Sequence, residues 1–332
     1  VEILSMDSMA IYKGMDIGTA TPSEEEQKEI RHHLINIAKP TEEFSVSQFQ
    51  EAAKNSLRDI EKRKQKALLV GGTGLHLRAV IDDLTIPGQF PEVKRELESE
   101  NDSVKLHARL KELDPAAANK MEPTNRRRII RALEVTIGAD KPFSGFGPGM
   151  DSYPPTPFTQ IGIHLSRDSI DEKIFKRYTK QIDDGFLEEV EQIMRGGVSR
   201  TAAPALGYSE FYSYLCGECS FEEAMEKAVV ATRKFARRQE RWFRRDPRIT
   251  WFEVEQDSLE VVDSVLKIFD EINMLVASKN FYDPMHKKIF AAIEKLIYGG
   301  MLANPITLKN YFENEKDDLN VPEYLVKITK FS

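Results

Sequence analysis

Three groups of residues in this chain of 332 are of types and spacings that can do chemistry. The first is Asp7-Ser8, just past an apolar run, Val1 to Ser5, that reads as a buried strand. A carboxylate beyond the carboxyl end of a parallel strand stands where open α/β sheets hold their ligands, and it can act as a general base. A plain cap on a following helical turn also explains the pair. The second is Gly71-Gly72-Thr73-Gly74, between a strand over Lys66 to Val70 and a helix opening at Leu75. Strand, glycine turn and helix together present backbone N–H groups to an anion, with the Thr73 hydroxyl in the first turn. GGTG is neither the Walker lysine motif nor the dinucleotide fingerprint, and a tight turn without a ligand reads the same way. The third group is cationic. Arg126, Arg127, Arg128 and Arg131 crowd the first two turns of a helix over 125–137, where cations oppose the macrodipole. Either an external phosphate or the carboxylates of Glu112, Asp114 and Glu122 must offset them. Between Ala224 and Arg248 nine cations meet three anions on a chain whose net charge is −7. Lys227, Lys234, Arg238, Arg241 and Arg245 share one helical face, with Phe235, Trp242 and Phe243 interleaved. A solvated face mixes signs; a one-signed stripe points to a phosphate backbone.

The elements that must position these groups alternate. Strands at Val1–Ser5, Lys66–Val70, Thr159–Leu165 and Ile249–Val254 are separated by helices, of which Phe44–Glu61 is amphipathic at spacings of three and four. This predicts an α/β fold with a parallel sheet. An acidic run, Ser23–Glu29, opens a solvated helix. From Gly88 to Lys141 the strands stop, so 88–141 reads as a helical insertion between strands of one sheet. A Gly/Pro-rich link spans Phe143–Phe158. One helix is expected over Asp168–Arg195, a second over Ser209–Leu215, and a last one in the core over Leu259–Ile272. The expected domains are a core of 1–87 with 142–272, the insertion 88–141, and a helical appendage 273–332, with helices over Pro284–Ile297 and Pro305–Phe312. No apolar run is long enough to span a bilayer. The two cysteines, Cys216 and Cys219, form a CxxC without the further ligands that zinc needs, so they read as free thiols of a reducing cytoplasm, and no metal site is expected from protein ligands. The chain opens with Val inside a strand, and the expectation is that no targeting segment precedes it.

Taken together, DSMAIYKGMDIGTATP at 7–22, HHLINI at 32–37, LVGGTGLHLRAV at 69–80, NRRRIIRALEV at 125–135, LGYSEFYSYL at 206–215 and ATRKFARRQERWFR at 231–244 resemble the tRNA dimethylallyltransferase (tRNA isopentenyltransferase) family, collinearly from Val1 to about Ile272. The resemblance implies a P-loop-NTPase-like parallel sheet. It implies transfer of a dimethylallyl group from dimethylallyl diphosphate to N6 of the adenine next to the anticodon, with Mg²⁺ as cofactor. It makes Asp7 the general base and Thr73 its catalytic companion, with Gly71, Gly72, Thr73 and Gly74 on the diphosphate side. The tRNA anticodon stem-loop is expected on Asp7, Ser8, Met9, Ala10, Lys94, Arg127, Arg128, Arg131, Gly207, Tyr208, Arg233, Arg237, Arg238, Gln239, Arg241 and Arg244. The enzyme is expected to be a cytoplasmic monomer.

The sequence departs from the family pattern in several places. The family carries a GPTASGKT-type phosphate loop ahead of its Asp-Ser motif, and this sequence begins after that point. The expectation is therefore a truncated, impaired enzyme, with a catalytically silent RNA-binding fragment as the alternative. Ala10, His76 and Ser209 stand where the family often has glutamine, tyrosine and a longer polar residue. From about Leu275 to Ser332 the chain resembles part of the N-terminal domain of replicative DNA helicases, without the motor. That segment is read as an interaction module, or as a second incomplete reading frame joined to the first.

Overall fold

β1 (Glu2–Ser5) turns Glu2 and Leu4 into the protein and leaves Ile3 and Ser5 partly covered. A carboxylate in that inward position needs partners, and Glu2 has them: His33 Nε2 at 2.6 Å and Arg63 at 2.6 Å. The computed structural model describes residues 1–254 apart from Pro148, together with a few single positions between 261 and 312. After β1 come the short α1 (Asp16–Thr19), α2 (Glu24–Glu29), β2 (His32–His33), α3 (Val46–Lys62), β3 (Ala67–Val70) and α4 (Gly74–Ile81). Four helices follow: α5 (Pro91–Ser99), α6 (Ser103–Leu113), α7 (Pro115–Ala118) and α8 (Arg126–Gly138). The chain then runs through β4 (Gln160–Leu165), α9 (Arg167–Asp183), α10 (Phe186–Gly196), α11 (Tyr208–Leu215), α12 (Phe221–Phe243) and β5 (Ile249–Val254).

The strands are parallel throughout but build two sheets, β2-β1-β3 and β4-β5, where the sequence predicts one. Pairing partners are set by hydrogen bonds between distant segments, and strand periodicity carries no record of them. The outer flank of β3 is bare: Leu68 is 45% and Val70 49% exposed. Local signals place the helices better. Ser45 and Gln48 form a reciprocal capping box that starts α3, and Ser220 and Glu223 do the same for α12. The helix predicted over 168–195 is in fact α9 and α10, broken at Gly185, whose φ of 100° is open to glycine at little cost.

Two cores result. The larger joins Leu4, Met6, Ile11 and Tyr12 to Phe49, Tyr178, Phe186 and Phe211. The smaller lies within α5–α8, around Leu97, Leu110, Ile129 and Leu133. The chain divides into compact units Val1–Gln256 and Asp257–Ser332, so the expected boundary at 272 falls inside the second. The helices expected over 259–272, 284–297 and 305–312 lie outside the described residues.

Candidate active site and nucleic-acid interface

The register of the first sheet brings two of the sequence groups together. Ser5 lies opposite Val70, so the residues just beyond each strand, Asp7-Ser8 and Gly72-Thr73, emerge side by side. Met6 N–H donates to Val70 O at 2.7 Å and Thr73 N–H to Met6 O at 3.2 Å. The backbones are so close that a Cβ on Gly71 would stand 2.5 Å from the Met6 carbonyl carbon; glycine is required there by space. Thr73 is the N-cap of α4, yet its hydroxyl makes no cap bond. It accepts from Ser8 N–H at 3.1 Å and reaches the Ser8 hydroxyl at 3.3 Å. Among the described residues the Asp7 carboxylate accepts only locally, from Met9 N–H at 2.7 Å, and is partly exposed. A carboxylate and a hydroxyl-bearing glycine turn thus lie side by side.

α12 closes over that turn. Gln239 Nε2 donates to Gly72 O at 2.8 Å. A Cβ on Gly74 would come within 2.1 Å of the Trp242 indole nitrogen. The helix's other side is exposed, and the side chains of Lys227, Lys234, Arg237, Arg238, Arg241 and Arg245 meet no carboxylate among the described residues. Arg238 lies over the Phe235 ring. Arg233 and Arg244 differ: Arg233 pairs with Asp171 at 3.2 Å, and Arg244 pairs with Glu240 and Glu253 and stacks on Trp251.

In α8, Arg127 and Arg128 are exposed and unpaired among the described residues. Arg131 binds Glu134 and Pro87 O, and Arg126 the carbonyl of Glu98. The carboxylates named as their alternative partners do not serve: Asp114 instead caps α7 and holds Ser144. Asn125 is the N-cap of α8, its side chain accepting from Arg128 N–H. Lys94 pairs with Glu98 along α5. Three residues expected near tRNA are placed inside. Ala10 is 4% and Tyr208 2% exposed, and a Cβ on Gly207 would press on Tyr178 and Phe186.

A buried charge cluster escaped the sequence reading. Asp82 receives both Arg78 and Arg248, and Arg248 also holds Asp246 at 2.6 Å. Tyr153, from the Gly/Pro-rich link, lies 4.5 Å beneath Arg78 and 5.6 Å beneath Arg248. Asp246 and then Asp82 hold the Arg248 guanidinium well above its usual range. The cluster fixes α4, and with it the glycine turn, to the link and β5. Arg78 and Asp82 at i,i+4 within an apolar helix were its one sequence signal.

A carboxylate and a glycine turn thus stand at parallel strand ends, beneath an arginine-faced helix, an arrangement open to group transfer on nucleic acid. Comparison with known proteins specifies the class. The model of the IPP transferase family matches residues 10–246. The tRNA dimethylallyltransferase of Thermobifida fusca is 42% identical over 275 residues, covering 81% of this chain and 85% of the relative. That of Bifidobacterium adolescentis is 43% identical over 262 residues, 78% of this chain and 77% of the relative. The tRNA isopentenylpyrophosphate transferase structure from Bacillus halodurans superposes with a TM-score of 0.57 at 31% identity, over 89% of this chain and 90% of that one. A eukaryotic dimethylallyltransferase acting on tRNA shares the fold, with a TM-score of 0.66 at 19% identity, over 90% of this chain and 78% of that one. The chain belongs to the tRNA dimethylallyltransferase family. Residues 262–332 match a second model, the DnaB-like helicase N terminal domain, so the helicase-like segment begins ahead of the expected 275. The expectation of a helix over 259–272 carries no signal of which domain owns it.

Proposed function

We propose that the chain transfers the dimethylallyl group of dimethylallyl diphosphate to N6 of the adenine at position 37 of tRNA, beside the anticodon. The observation that carries this reading is the joining of Asp7 to Thr73 through Ser8, under a helix whose outer face is lined by arginines that meet no carboxylate among the described residues. An exocyclic adenine amine is a weak nucleophile, because its lone pair is delocalised into the ring. Asp7 accepts its N–H, orients it, and takes the proton as the C–N bond forms. The C–O electrons leave with the diphosphate. Its growing charge is met by glycine N–H groups of the Gly71–Gly74 turn and by the Thr73 hydroxyl. The target base must leave its stack to reach the strand end, while Arg127, Arg128, Arg237, Arg238 and Arg241 hold stem-loop phosphates.

Among the described residues no three His, Cys, Asp or Glu side chains gather to hold a metal. Mg²⁺ in this reading arrives with the diphosphate, whose oxygens are the hard ligands it prefers. No described helix is long and apolar enough to cross a membrane, and the reading is of a monomer working in the cytoplasm. It also takes the two sheets as parts of one P-loop-NTPase-like sheet. Gln239 and Glu240, adjacent on α12, reach Gly72 beyond β3 and His164 in β4, and Leu68, Val70 and Ile163 stay uncovered. One further parallel strand bearing a phosphate loop would pair there. Those same bare positions favour a second reading, in which the chain grips RNA without turnover.

Mass spectrometry of an anticodon stem-loop incubated with chain and donor separates the two. The first reading predicts a dimethylallyl mass gain on the adenine next to the anticodon and none when inosine, which lacks the amine, replaces it. Stem-loop binding without any mass gain would establish the second, and gain on the inosine substrate would overturn the assigned nucleophile.

A further inference from the structure

The segment that carries Asp7 is tied down at its far end by one distant side chain. Glu189, on α10, sets its carboxylate at the head of α1. Its Oε2 accepts from Asp16 N–H and Ile17 N–H, each at 2.8 Å, and its Oε1 from Gly18 N–H at 2.9 Å. The Tyr208 hydroxyl donates to Oε1 at 2.6 Å. Gln181 completes the cradle: its Nε2 donates to Ile17 O at 2.6 Å and to Gly18 O at 3.2 Å. A helix this short cannot sustain itself, and the backbone of α1 is held from outside on both its donors and its acceptors. A Cβ on Gly18 would stand 2.5 Å from Phe186 and 2.6 Å from Tyr208, so the backbone itself lies against α10 and α11.

The anchoring runs back to Asp7 through consecutive turns. Met15 N–H donates to Tyr12 O at 3.3 Å, Tyr12 N–H to Met9 O at 3.1 Å, and Met9 N–H to the Asp7 carboxylate at 2.7 Å. Asn36 braces the path twice, with its side chain on Asp16 and its N–H on Ala10 O. Ala10, Ile11, Tyr12 and Met15 are all buried, which leaves the path little slack. Charge-assisted bonds to converging N–H groups are the strong kind. A glutamine in place of Glu189 would offer one acceptor oxygen and turn an N–H₂ toward donors.

We infer that Glu189 is a positioning residue for prenyl transfer: its carboxylate fixes the segment that places Asp7. The inference rests on Asp7 being the base, and the test keeps the two apart. Hydrogen exchange and transfer kinetics are measured on the full chain and on Glu189→Gln, Tyr208→Phe and Asp7→Asn. In Glu189→Gln, exchange should quicken about tenfold or more at residues 16–18, the loss of one charge-assisted bond, and should quicken at residues 8–12 as well. Its kcat should fall with the KM for the stem-loop unchanged. Tyr208→Phe, which removes one donor and keeps the ring, should move both readouts the same way by less. Exchange at residues 8–12 unchanged in both variants, or a loss confined to KM, would overturn the inference. Asp7→Asn should lose transfer with exchange at residues 16–18 unaltered, since the carboxylate it removes holds only Met9 N–H; if it transfers normally the base assignment fails, while the exchange of Glu189→Gln at residues 8–12 still decides the role of Glu189.

Discussion

Thr73 could have spent its hydroxyl on capping α4, as threonines at that position do; it is turned to Ser8 instead. Thr73→Val removes that link and should slow transfer by about 100-fold, the scale of losing one aimed donor, while costing about 1 kcal/mol of stability. Thr73→Ser should keep most of the rate. Single-turnover rates and urea midpoints check both, and a Val variant as fast as the parent would remove Thr73 from the site. Three residues further on, His76 is buried edge-on against Phe49, and burial holds its imidazole down to about 4. The unfolded chain takes up that proton near the ordinary 6.5, so between these values the unfolded state binds more protons. Stability present above the upper value is therefore lost as pH falls toward the lower one, by up to about 3 kcal/mol. His76→Phe should flatten that slope in urea titrations at stepped pH; an unchanged slope would assign it elsewhere. At this scale the sequence disclosed Asp7 and Thr73 as strand-end residues. It did not disclose their contact, which depends on the register of β1 against β3.

At the scale of elements, α12 does two jobs with two faces. Gln239 and Trp242 press on the glycine turn, while Arg237, Arg238 and Arg241 stand in solvent. Replacing those three arginines with glutamine should weaken stem-loop binding and lower the slope of log K against log salt by about one per lost phosphate contact. Fluorescence titration at several salt concentrations measures it; an unaltered slope would show that the arginines only solvate the helix. The stripe was legible because charge and helical period are both local. The inward face was not, since nothing in Gln239 announces a bond to Gly72. The break at Gly185 was missed because the apolar period runs on across it, whereas the capping pairs of α3 and α12 are complete within four residues and mark their helices directly.

For the whole molecule, parallel strands and a basic helix meet at one pair of strand ends, held from behind by the Arg78–Asp82–Arg248 cluster. Fold class was readable from the alternation of strands and helices. The division into two sheets was not, because it is written in long-range pairing. Everything in the functional account turns on Asp7. The most direct measurement is a single-turnover assay of dimethylallyl transfer to an anticodon stem-loop by the parent chain and by Asp7→Asn, with stem-loop affinity recorded on the same preparations. The account predicts a parent that transfers, and a variant slowed by about 100-fold or more that binds the stem-loop as tightly as the parent. A variant that transfers at the parental rate would contradict it.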